Sequence, residues 1–332
     1  MYDELVASEL PDDPFLAAEL VNYFPTAVRN RYADRLADHP LRREIVATRV
    51  TNAMVNRAGS TFAFRLAEEV GLPLPHIARA HIASWEIFGL AALQSEIESL
   101  TDVPTGVQIR LLLDVRTLAE RATRWLLRNR RQPLDIAGTV QHFAPAVPLL
   151  ADEIPRLFAD TAETDEAFRA AVARFTGDGV PEELATRVAA LPALFSALDV
   201  IDVAQATGHE LAEVAAVYFA LDQHLQLSWL RDRILRLPRD DRWQALARAA
   251  LRDDLYAVRA ALTADVLRAG GTAEDVGELI RRGFAHNQSA VGRCLGVLRD
   301  IAADGRADLA TLSVALREVR GLVSSRAGGV EP

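Results

Sequence analysis

Apolar residues recur along this chain at about 3.6-residue spacing, and the runs are punctuated by proline and glycine. Alternating strand patterns are almost absent. The nearest is "LDVIDVA" at 198–204, whose flanks read as helix. The expectation is an all-α fold, an irregular multi-helix bundle of roughly a dozen helices. No convincing repeat of about 34 to 47 residues is found, so a regular solenoid is not expected.

The punctuation sets the expected boundaries. Asp13-Pro14 is a capping acid followed by proline at the first helical position. That helix should stop at Pro25, and Thr26 should open another that ends near His39-Pro40. A helix is expected from there to about Gly71, and after the "GLPLPH" break another from Ile77 through "SEIESL", with Ile77, His81, Trp85, Phe88 and Ala92 on one stripe. Asp102 and Pro104 start the next, with Leu111, Val115, Leu118, Ala122, Trp125 and Leu126 inward. Pro145, Pro148 and Pro155 predict short or kinked helices. A helix is expected to start at Pro181, and two more to run to about Leu227. A long helix at 241–271 should stop at paired glycines, and Thr272-x-x-Asp275 reads as a capping box. The acidic, Thr- and Gly-containing stretch at 159–180 marks the expected division. It separates a subdomain at 1–158 from one at 159–324, followed by a frayed tail at 325–332.

With half of its 332 residues hydrophobic and a quarter charged, the chain can bury a sizeable core. A net charge of −9 argues against nucleic acid or an anionic membrane as the main partner. The basic run "RATRWLLRNRRQ" (121–132) reads as a solvated helix end. No stretch of about 20 apolar residues is long enough to span a membrane, and the N-terminus lacks a signal-peptide pattern. The single cysteine, Cys294, excludes a disulfide framework and reads as inert core, which suits a reducing cytoplasm.

Catalytic and cofactor motifs are missing from the sequence. There is no Gly-rich dinucleotide fingerprint, no nucleophile elbow and no HExxH. All basic side chains other than histidine are arginine, so no P-loop lysine or Schiff base can form within the chain. His76 and His81 are five apart and do not share a helix face. They, His224 and His286 read as structural. The paired acids in "RDD" (239–241) and "DDLY" (253–256) read as caps or ion pairs. No catalytic, cofactor-binding or metal residue is expected.

One segment breaks the pattern. "HPLRREIVATRVTNAMVNRAGSTF" (39–62) is patterned as a helix, yet it carries Thr48, Thr51, Asn52 and Asn56, with Glu44 its only acid. These four weak helix formers together cost on the order of 2 kcal/mol relative to alanine. On a helical wheel Glu44, Thr48, Thr51, Asn52, Val55, Gly59 and Phe62 share one side, with Asn56 at its edge, and Val46, Ala47, Val50, Ala53 and Met54 fill the other. The bland reading seals the polar side inside the bundle. The sharper one turns it toward another domain, with Arg42, Arg43, Thr48, Asn52 and Asn56 as the candidate contacts and Gly59-Ser60 allowing close approach.

The same segment resembles the C-terminal helical region of the large NAD-specific glutamate dehydrogenases. The matching residues are Tyr23-Phe24-Pro25, His39 through Ile45, Thr48, Asn52, Asn56, Gly59 and Thr61-Phe62, with "RATRWLLR" (121–128) and "RWQALARAALRDDLY" (242–256) further on. The likeness runs in order over about residues 5–320. It implies a long regulatory N-terminal part, a catalytic domain using NAD to oxidise L-glutamate to 2-oxoglutarate and ammonium, and this helical domain. It implies a cytoplasmic protein and allows a homo-oligomer. None of the family's catalytic lysines or its dinucleotide loop corresponds to a residue here. The expected partner is that catalytic domain, as upstream polypeptide or a separate chain. The opening "MYDELVASELPDD" leads us to expect a truncated chain, a fragment or a split gene, inactive alone. Two other readings compete: an independent helical scaffold or adaptor with its own protein partner, and a small-molecule sensor with a cavity lined by Trp85, Trp125, Trp229 or Trp243.

Overall fold

The computed structural model describes residues 1–159, 162–271 and 275–323. Within them every regular element is helical: nineteen α-helical stretches and two short 3-10 turns. Thr272 of the expected capping box and the expected 325–332 tail lie outside the described residues. Asp275 itself caps the next helix, Val276–Gly283, by accepting from the Glu278 N–H.

The helices outnumber the expected dozen because backbone breaks cut what the periodicity joins. Gly59 sits at φ 88°, in the left-handed half of the map that a Cβ disfavours. It divides the expected long helix into Arg42–Ala58 and Phe62–Val70. Gly89, at φ 59°, divides the next into Leu74–Ile87 and Leu90–Glu98. The restart resets the helical phase. Leu90, Leu93 and Ile97 are therefore buried and Ala92, expected inward, is exposed. The stretch from Pro181 toward Leu227 holds the three expected helices: Glu182–Leu194, Ala197–Thr207 and Leu211–His224.

The chain divides into two compact units, residues 1–195 and 196–332. The division is not at the 158/159 composition shift, because ion pairs and apolar burial tie the helices after it to the first unit. Arg110 reaches Asp178 at 2.8 Å and Arg187 reaches Glu96 at 2.7 Å, while Val180, Leu184 and Val188 are buried.

In the first unit Thr105–Asn129 is the central helix, packed chiefly on Leu74–Ile87. Its inward stripe is the expected one, and each large aliphatic residue there contributes about 1.5–3 kcal/mol of burial. In the second unit the 29-residue Arg242–Gly270 helix is the spine. Asp241 starts it, accepting from the backbone N–H groups of Trp243 and Gln244 at 2.7 and 2.9 Å. Ala197–Thr207, Leu211–His224, Val276–Gly283 and Leu309–Arg320 pack along it.

Candidate interdomain face

The Arg42–Ala58 helix buries Ile45, Val46, Ala47, Val50, Met54 and Ala58. That apolar stripe fixes how the helix lies on the first unit and so fixes what faces outward. Thr48, Asn52, Val55 and Asn56 are all exposed, and Thr51 is half-buried at the margin. The bland expectation, polar groups sealed in the bundle, is therefore corrected. Phe62 is also corrected: the Gly59 break carries it into the next helix, where it is buried. Thr48 spends its hydroxyl on the Glu44 carbonyl of its own helix at 2.7 Å. What remains outward is a neutral, hydrogen-bonding strip with no charged side chain between Arg49 and Arg57.

Arg42 and Arg43 behave differently from that strip. Both guanidinium groups bind the Asp12 carboxylate. Arg43 also donates to the carbonyls of Val6 and Ser8 at 2.8 Å each, holding the first turns of the chain against the helix start. They anchor the unit internally, while Asn52 and Asn56 stay open and Thr48 is exposed with its hydroxyl bonded to Glu44.

The other sequence candidates resolve by their contacts. Four of the five arginines of the 121–132 run make contacts inside the first unit. Arg124 and Arg128 bind Glu69, Arg121 lies 4.1 Å over the Phe195 ring, and Arg130 stands 4.8 Å over both Trp125 and Phe143. These four are structural cations, while Arg128, Asn129 and Arg131 at the helix end are exposed to solvent as expected. Burial pushes the Cys294 thiol up to about 11, with Glu318 adding to the effect, so it is not a ready nucleophile. His81 is buried against Phe62 and Trp85, and burial with the nearby Arg57 charge holds it at about 3, a neutral imidazole. Among the described residues no group of three or more His, Cys, Asp or Glu side chains could hold a metal ion. No single helix there is long and apolar enough to cross a membrane. Trp85 and Trp125 are core residues, whereas Trp229 is half-buried and Trp243 exposed.

Sequence reasoning missed two features. Ile109 and Leu113 are half-exposed on the central helix, although "IRLLLDV" carries more apolar residues than its inward stripe uses. The second unit hides a charged network. The buried Arg259 donates from Nε to the Tyr218 carbonyl at 3.1 Å, pairs with Asp222 at 3.1 Å and lies 3.9 Å over the Tyr218 ring. The Tyr218 hydroxyl donates to Asp199 at 3.1 Å, and burial, reinforced by Asp199, pushes this phenol well above its usual range. Lone charges within apolar helical turns, Asp222 in "YFALDQH" and Arg259 in "YAVRAAL", were the available signal.

The family described as "Glutamate dehydrogenase, C-terminal" matches residues 1–321. The chain belongs to that family. Over 99% of its length, this C-terminal domain is 40% identical to the NAD-specific glutamate dehydrogenase of Mycobacterium tuberculosis and 35% identical to that of Pseudomonas aeruginosa. Over 97% it is 34% identical to that of Halomonas elongata. It spans about one fifth of the length of each. The described part has no strand, and hence no Gly-rich strand-to-helix turn to cradle a pyrophosphate.

Proposed function

We propose that this chain is the helical support domain of an NAD-specific glutamate dehydrogenase. The long enzyme oxidises L-glutamate, with water and NAD, to 2-oxoglutarate and ammonium, and it works in the cytoplasm. The hydride transfer belongs to a catalytic domain outside this chain, and the domain seats that partner through Thr48, Asn52 and Asn56. Arg42 and Arg43 fix the helix that presents them. The enzyme assembles as a homo-oligomer.

The observation that carries this reading is the uncharged face of the Arg42–Ala58 helix. A solvated helix face normally carries charged residues. Four neutral side chains held outward, three of them poor helix formers, are better explained by a partner surface that bonds them. Membership of the glutamate dehydrogenase C-terminal family supports the catalytic domain as that partner. The test has two arms. The purified chain, folded and helical, should form no NADH from glutamate, and measurable turnover would refute the proposal. Lysine at Thr48, Asn52 and Asn56 in the long enzyme should loosen the domain, read as faster release by limited proteolysis.

A further inference from the structure

Resting on that docking role, we infer that the seat continues onto the Thr105–Asn129 helix, where Ile109 and Leu113 are its apolar anchors. Its occupant is a neutral, apolar surface of the long polypeptide that precedes this domain.

The central helix uses Leu111, Val115, Leu118 and Ala122 for the core. At about 100° per residue, Ile109, Leu113, Arg116, Thr117 and Glu120 form the opposite stripe. Ile109 is 52% and Leu113 50% exposed. Exposed single leucines are ordinary. These two stack one turn apart and lead directly to the neutral face. The Arg116 guanidinium lies 3.5 Å from where a Cβ on Gly59 would sit, and Gly59 ends the helix that carries Asn52, Val55 and Asn56.

The charges along this path are matched within the unit. Arg116 donates to Glu120 at 2.7 Å, Arg65 reaches the same carboxylate at 3.5 Å, and Arg110 binds Asp178. No cationic excess is left for nucleic acid or an acidic peptide. An exposed apolar pair whose neighbouring charges are already paired within the unit suits a protein interface, with its apolar centre and polar rim. The family's description places this domain at the C-terminal end, and the relatives are about five times as long, so most of their polypeptide precedes the matching region.

Hydroxyl-radical footprinting of the full-length enzyme tests this, with oxidation at Ile109, Leu113 and Val55 normalised to the unfolded protein. Ile109 and Leu113 should lose most of their oxidation. A Leu113→Glu variant, made at an exposed site the core does not need, should restore oxidation at Ile109 and Val55. Protection of Val55 alone would overturn this inference while leaving the docking role standing. Free oxidation of all three would overturn both. Protection that vanishes when subunits dissociate would assign the anchors to a second copy and overturn the occupant named here.

Discussion

Two helices depart from the usual rule, and in opposite directions. Arg42–Ala58 puts uncharged polar residues on its outside, where solvent favours charge. Arg242–Gly270 puts Arg259 on its inside, where burial favours apolar groups. The inward charge is engaged within its own unit, through Asp222, the Tyr218 carbonyl and the Tyr218 ring, with Nη2 the one guanidinium nitrogen left buried without a hydrogen bond. The outward amides of Asn52 and Asn56 are exposed, and under the proposed docking role they bond a partner. A polar residue in an unexpected place is therefore read by where its bonds go. Internal bonds point to architecture, and open ones to docking.

The largest expected effect tests the inward side. Arg259→Met leaves Asp222 buried without its cation, which should destabilise the second unit by about 3–5 kcal/mol. Urea unfolding of the chain checks it, and replacing Asp222 as well should recover part of the loss. A single variant as stable as the parent would remove the architectural half of the comparison.

His81 is the intermediate case, a neutral polar group buried in the first unit. Its folded pKa is about 3 against an ordinary 6.5, so on acidification the unfolded chain takes up the proton first. Stability is then full above the ordinary pKa and falls by about 1.4 kcal/mol per pH unit below it, until the folded value is reached. At pH 5 the loss is about 2 kcal/mol, and His81→Leu should abolish that slope in denaturation midpoints measured across this range. An unchanged slope would show that the acid response comes from other groups.

The smallest effect has the opposite sign. Asn52→Ala and Asn56→Ala should each stabilise the isolated chain by about 0.5 kcal/mol, because alanine is the better helix former and no internal bond is lost. Thermal melts would show it. The same changes should weaken seating in the long enzyme, and a loss of stability in the isolated chain would mean that the amides serve the unit itself.

Much of the fold was legible because its signals are local. Asp13, Asp241 and Pro104 mark real helix starts, and the Leu111 to Leu126 stripe is the core stripe observed. The breaks at Gly59 and Gly89 were not, since a glycine inside a helical pattern is ambiguous until its φ is known. The composition shift at 159–180 did not foretell the division into units, because that depends on long-range pairs such as Arg110–Asp178. The polar face was legible as an anomaly. Its direction, inward or outward, depended on which flank meets the core, and only tertiary packing decides that. The Arg259 network lay hidden because its partners are separated by about forty residues of helix.

The central claim is that the Thr48, Asn52 and Asn56 face is a seat for polypeptide outside this chain. A cryo-electron microscopy structure of the full-length enzyme reads it directly. The account predicts that these three side chains are covered by residues preceding this domain, with the Asn52 or Asn56 amide hydrogen-bonded to them. All three facing open solvent in every subunit would contradict it.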